Sequence, residues 1–77
     1  MADKFDPYRD SLVVETNTIW PAELEGVAAD EKPRLAAALH ADAAHCEQVE
    51  YVRVHTGFCR RITVTSGDLQ RLRAGAP

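Results

Sequence analysis

The chain has 77 residues, of which 45% are hydrophobic and 27% charged, with a net charge of −3 and two cysteines. That length admits one hydrophobic core and no second domain, the composition excludes intrinsic disorder, and two cysteines fall far short of a secreted disulfide scaffold. A core of this size supplies only about 3–5 kcal/mol, so oligomerisation, a metal or a cross-link is expected to support it.

Residues 1–10 alternate in charge, contain Pro7 and show no periodic apolar face, which predicts an N-terminal arm free to move, with Phe5 and Tyr8 as its tethers. No apolar stretch of signal-peptide type opens the chain and no run reaches the length of a membrane span, so a cytoplasmic protein without membrane contact is expected. Leu12-Val13-Val14-Glu15-Thr16 is a β-branched run that predicts a strand over about 11–16, with Leu12 and Val14 turned inward. Ile19 and Trp20 then close over the core. Thr18 or a neighbour caps a short helix over 21–27 that opens near Pro21 and buries Leu24 and Val27. Asp30 is a suitable N-cap for a helix over 31–41, with Glu31 and Pro33 in its first turn and Leu35 and Leu39 on one face.

From Asp42 two readings compete. In the favoured one, a helix runs over 43–56 with Cys46, Val49 and Val52 along one face, Gly57 in the left-handed position after its end, and Phe58 folded back on Val52. In the other, Tyr51–His55 pairs with Cys59–Thr63 as a hairpin through Thr56-Gly57-Phe58. Thr-Gly is a poorer hairpin signal than Asn-Gly, which tips the balance to the helix. Either way, residues 60–65 form a strand carrying Ile62 and Val64. Thr65-Ser66-Gly67-Asp68 resembles a capping box, so a last helix is expected over 67–74 with Leu69 and Leu72 inward.

The predicted fold class is α+β: a small single domain, 1–77, with two paired strands near 11–16 and 60–65 covered by short helices. If 50–65 is a hairpin, the sheet has three antiparallel strands instead.

Chemistry-bearing residues are sparse. His55-x₃-Cys59 has a local spacing compatible with zinc or with an activated thiol, and Cys46 is the other soft donor. Adjacent His45 and Cys46 diverge on any regular element, however, and do not make a second ligand pair. A buried multi-part active site does not fit readily in so short a chain, and the four glycines are isolated rather than grouped in a phosphate loop. No enzyme activity, cofactor or metal is therefore assigned.

The charges divide unevenly, residues 1–50 carrying eleven acids and four bases and residues 51–77 one acid and five arginines. Trp20, Arg60, Arg61, Arg71 and Arg73 are the residues best suited to bind a partner, with the four arginines sharing one side if the second strand faces the last helix. The overall acidity argues against nucleic acid. The expected function is that of a small cytoplasmic protein-binding or accessory module acting through a surface, self-associating as a homodimer. The alternative is a metal- or thiol-dependent sensor using Cys46, His55 and Cys59.

Overall fold

The computed structural model describes residues 6–24 and 26–75. Asp6 opens the first element, its Oδ1 accepting from the backbone N–H of Tyr8 (2.9 Å) and Arg9 (3.4 Å). With Pro7 at a position where a missing N–H costs nothing, one turn of helix forms, α1 (Pro7–Ser11). Residues 1–5 of the expected arm, Phe5 among them, lie outside the described residues. The remainder is helical and is held to the sheet by Asp10, while Tyr8 is 67% exposed.

Strand β1 (Val13–Ile19) runs from α1 to a single 3₁₀ turn at Ala22–Leu24, shorter than the predicted helix. Next comes α2 (Lys32–Ala41), whose cap position is Glu31 and not Asp30, and whose Leu35 and Leu39 are buried as expected. A second 3₁₀ turn, Ala43–His45, leads into β2 (Val49–Val54), β3 (Gly57–Thr63) and α3 (Ser66–Gly75). The helix expected over 43–56 is thus replaced by a hairpin.

That correction has a physical origin at Gly57. The glycine is not in a left-handed conformation, and no described residue has a positive φ. It is required because the chain entering β1 crosses it: a Cβ there would collide with the Leu12 carbonyl oxygen, which accepts from Phe58 N at 3.0 Å. The loop residues are His55 and Thr56, and Val54 pairs with Gly57. Cys59 therefore sits opposite Val52, and the turn does not bring it back to His55.

The sheet has the order β1-β3-β2, with β1 parallel and β2 antiparallel to the central β3. It is a small α+β domain, as predicted, with a mixed sheet where the hairpin alternative implied an antiparallel one. The two strands expected to pair do pair, as β1 and β3.

A bulge in β1 decides which residues face inward. Val13 pairs with Phe58 and Glu15 with Cys59, leaving Val14 as the extra residue. Simple alternation from Leu12 puts Val14 in the core; the bulge turns it out, 56% exposed. Ile19, two positions beyond Asn17 on the outward set, is likewise 44% exposed and outside the core. Inward positions of β1 are filled by Thr16 and Thr18.

The core lies on the other side, where Val27, Leu35, Leu39, Ala43, Cys46, Ile62, Val64 and Leu69 form one buried cluster with Trp20, Leu24, Val49 and Leu72 against it. Ile62 and Val49 share the inner face because they are cross-strand partners. Helices α2 and α3 therefore cover one face of the sheet, the one that also carries Tyr51 and Arg60.

Candidate functional site

Alternation along three paired strands fixes what the outer face presents. From β1 come Val14, Glu15, Asn17 and Ile19, from β3 Cys59, Arg61 and Thr63, and from β2 Glu50, Val52 and Val54. None of these ten residues is buried. Among the apolar ones, Ile19 lies beside Thr63 at one end and Val14 and Val54 beside Gly57 at the other, while Val52 sits opposite Cys59 in the middle. Between them lies a polar band in which Arg61 approaches Glu50 at 3.7 Å and Asn17 Nδ2 donates to Cys59 Sγ at 3.4 Å. Both ion-pair partners are well exposed, so this pair contributes little to folding.

The inner face carries a polar cluster that the sequence did not reveal. Both oxygens of Asp10 accept from the Tyr51 hydroxyl, at 2.8 and 2.7 Å, and Oδ1 also accepts from Arg60 Nη1 at 2.5 Å. Arg60 and Tyr51 face each other across β3 and β2, and Arg9 lies over the Tyr51 ring, its Cζ 5.0 Å from the centroid. Burial, reinforced by the hydrogen bond to Asp10, pushes the Tyr51 phenol above its ordinary range. One strand over, Thr18 Oγ1 and His40 Nε2 are 2.6 Å apart, and burial together with the charge of Arg60 lowers the His40 pKa.

A second network closes the opposite end. Thr65 Oγ1 accepts from Asp68 N at 3.1 Å and donates to Glu47 Oε1 at 2.7 Å. Asp68, fully buried, accepts from Glu47 N at 3.3 Å. Its carboxylate thus ties α3 to the approach of β2 and does not fold back on the cap residue as a capping box would. Arg71 bridges Asp68 and Asp42, and Asp42 also pairs with His45 at 2.6 Å. The His45 hydrogen bond, with Arg71 beside it, holds the Asp42 carboxyl below its usual range.

The predicted binding residues are dispersed. Arg60 is on the inner face and Arg61 on the outer, Arg71 pairs with Asp42, Arg73 Nη2 donates to Glu31 at 3.1 Å, and Trp20 packs partly buried on the core with Lys32 Nζ 5.6 Å above its ring. The four arginines do not form a single basic patch. Each meets an acid from residues 1–50, so the charge division along the sequence is matched within the fold.

Cys46 and Cys59 are free thiols on opposite sides of the sheet, Cys46 buried in the core and Cys59 half-exposed on the outer face, with His55 in the hairpin loop. Burial first, and the charge of Asp68 second, push the Cys46 thiol up, away from a reactive thiolate. Among the described residues no three His, Cys, Asp or Glu side chains converge as a metal site.

An open groove of about 630 Å³ follows α3, lined by Ser66, Leu69, Gln70, Arg73 and Ala74, and a pocket of about 190 Å³ lies between Pro21, Leu24, Gln48 and Thr65. Neither gathers converging titratable groups of the kind that mark a catalytic centre. No described helix is long and apolar enough to cross a membrane. Comparison with family models, with curated proteins and with solved structures gave no match.

Proposed function

We propose that the protein is a small binding module whose working surface is the outer face of the sheet, and that it binds a second copy of itself there. The observation that carries this reading is the exposure of branched aliphatic side chains on a sheet face opposite the helices, Val14 at 56% and Ile19 at 44%. A one-sided sheet normally turns polar residues outward. Here valine and isoleucine occupy both ends of that face.

The choice of a second copy rests on the layout of charge. The band holds Arg61 together with Glu15 and Glu50, both signs on one patch, which is what a two-fold interface needs to complement itself. A two-fold axis crossing the middle of β3 sets the Ile19 end of one copy over the Val14 and Val54 end of the other. Two sheets stacked this way form a sandwich with about 10 Å between them.

Three strands about 4.8 Å apart and about 3.3 Å per residue give a patch of roughly 23 by 15 Å. That is well below the about 800 Å² per partner of a standard interface, so the dimer is weak and dynamic. Sedimentation velocity over a micromolar-to-millimolar series tests the reading: the weight-average mass should rise toward the dimer value, and Ile19→Asp with Val14→Asp should hold it at the monomer. A wild-type chain that stays monomeric throughout would exclude self-association.

A further inference from the structure

The Asp10 carboxylate is 10% exposed, although α1 has no buried residue and is a single turn, far too short to hold itself together in water. What docks the turn is its acid, with Arg9 over the Tyr51 ring and the Leu12–Phe58 backbone bond behind it. Apart from Asp6 N of its own turn, which donates to Oδ2 at 3.1 Å, the donors that grip Asp10 belong to β2 and β3, paired along their length, whereas the acceptor belongs to the segment leading into the sheet's edge strand. The receiving side stays assembled if α1 leaves.

Arg60 also has unused capacity. Asp10 engages Nη1 alone, and Nε is buried without a hydrogen-bond partner. A carboxylate prefers the paired N–H groups of a guanidinium fork, which give two parallel bonds. Held through its own backbone, Asp10 does not reach that arrangement; a ligand free to orient does. The resident acid is therefore an imperfect occupant of a site built for its functional group.

The geometry points to a carboxylate-binding site formed by Arg60 and Tyr51, occupied in cis by Asp10, with α1 as a latch that lifts to admit the carboxylate of a partner. One guanidinium and one hydroxyl match a singly charged ligand and leave a phosphate dianion undercompensated. This site lies on the opposite side of the sheet from the self-association surface and does not depend on it. While the latch is closed, the apparent affinity falls by the fraction of open molecules. An open state populated at about 0.1–10% weakens binding by about ten- to a thousandfold.

The test uses the full chain with Asp10→Ala, and follows the Arg60 Nε–H resonance by NMR and the thermal midpoint. Titrants are sodium acetate, the capped peptides Ac-Gly-Asp-Gly-NH₂ and Ac-Gly-Asn-Gly-NH₂, and sodium chloride as an ionic-strength control. Acetate and the Asp peptide should shift the resonance saturably and raise the midpoint, the Asn peptide and chloride should do neither, and wild-type protein should need at least about tenfold more ligand. An Asp peptide tighter than acetate marks an acidic side chain as the natural source, and equal affinity marks a small free carboxylate. A response to acetate no larger than to chloride would overturn the site.

If Asp10→Ala does not fold, hydrogen exchange of the wild type decides. The Asp10 and Leu12 amides, bonded within α1, should exchange through an opening far more frequent than the one that exposes Ile62. Equal opening frequencies would show that α1 leaves only when the whole domain unfolds, and would overturn the latch.

Discussion

At residue scale, Gly57 and Gly26 form a matched pair, since both interrupt the chain and only one is constrained. Nothing lies within 4 Å of a Cβ built on Gly26, whereas one on Gly57 meets the Leu12 carbonyl. Gly57→Ala should cost about 1–3 kcal/mol in urea unfolding, as overpacking does, and Gly26→Ala should be neutral or gain up to about 1 kcal/mol through the unfolded chain. Equal effects would show that the β1 crossing is not tight. This glycine was visible in the sequence, but its reason was not: a close approach by a segment 45 positions away leaves no local signature, and the helix-stop reading explained the same letters.

His40 offers a second residue-scale expectation. Its pKa is lowered in the folded protein by burial and by Arg60, so the unfolded chain binds the proton more readily. Stability from this group is fully present above the ordinary histidine range near 6.5 and is lost as pH falls from there toward the folded value. His40→Gln, which keeps a polar group near Thr18, should flatten the wild-type fall in urea midpoint between neutral pH and pH near 5. An unchanged slope would assign that fall to other groups.

At element scale, the segments whose signals are local were legible and those settled by pairing were not. Leu35 and Leu39 at i,i+4 marked α2, and Thr65 before Asp68 marked α3; both helices stand within two residues of expectation at each end. β2 failed this test because Val49, Val52 and Cys46 satisfy a helical spacing, while Tyr51-Val52-Arg53-Val54 satisfies alternation. Pairing with β3 resolves the tie, and that is tertiary information. The bulge at Val14 is of the same kind: one extra residue turns Val14 out, and no local pattern announces it.

Thr65 extends the argument to energetics. Its hydroxyl accepts from Asp68 N and donates to Glu47, so it caps α3 and fastens the loop before β2. Thr65→Ala should cost about 1 kcal/mol for the cap, and Thr65→Ser should recover most of it. If Ala and Ser are equally destabilising, the contribution comes from packing of the methyl group and not from the hydroxyl.

At the scale of the whole molecule, the division of charge along the chain is matched mostly within the fold, and the arginine that lies on the outer face of the sheet is Arg61. It was one of the binding residues read from the sequence, though for membership of a cluster that the fold disperses. On the outer face it is the one cation among Glu15 and Glu50, 47% exposed at its side chain. Arg61→Glu turns the band wholly acidic, so two such copies repel and self-association should disappear. Glu15→Arg with Glu50→Arg makes it wholly basic, with the same result. Mixing the two proteins should restore association, now between unlike copies, because each acid row meets a basic one. As exposed charges carry little folding energy, each variant should keep its thermal midpoint near that of the wild type. The restored complex should weaken as salt rises, since screening acts over about 10 Å at 0.1 M. Sedimentation of each variant alone and of the mixture measures all of this; a mixture that stays monomeric while the wild type dimerises would place the interface away from the outer face.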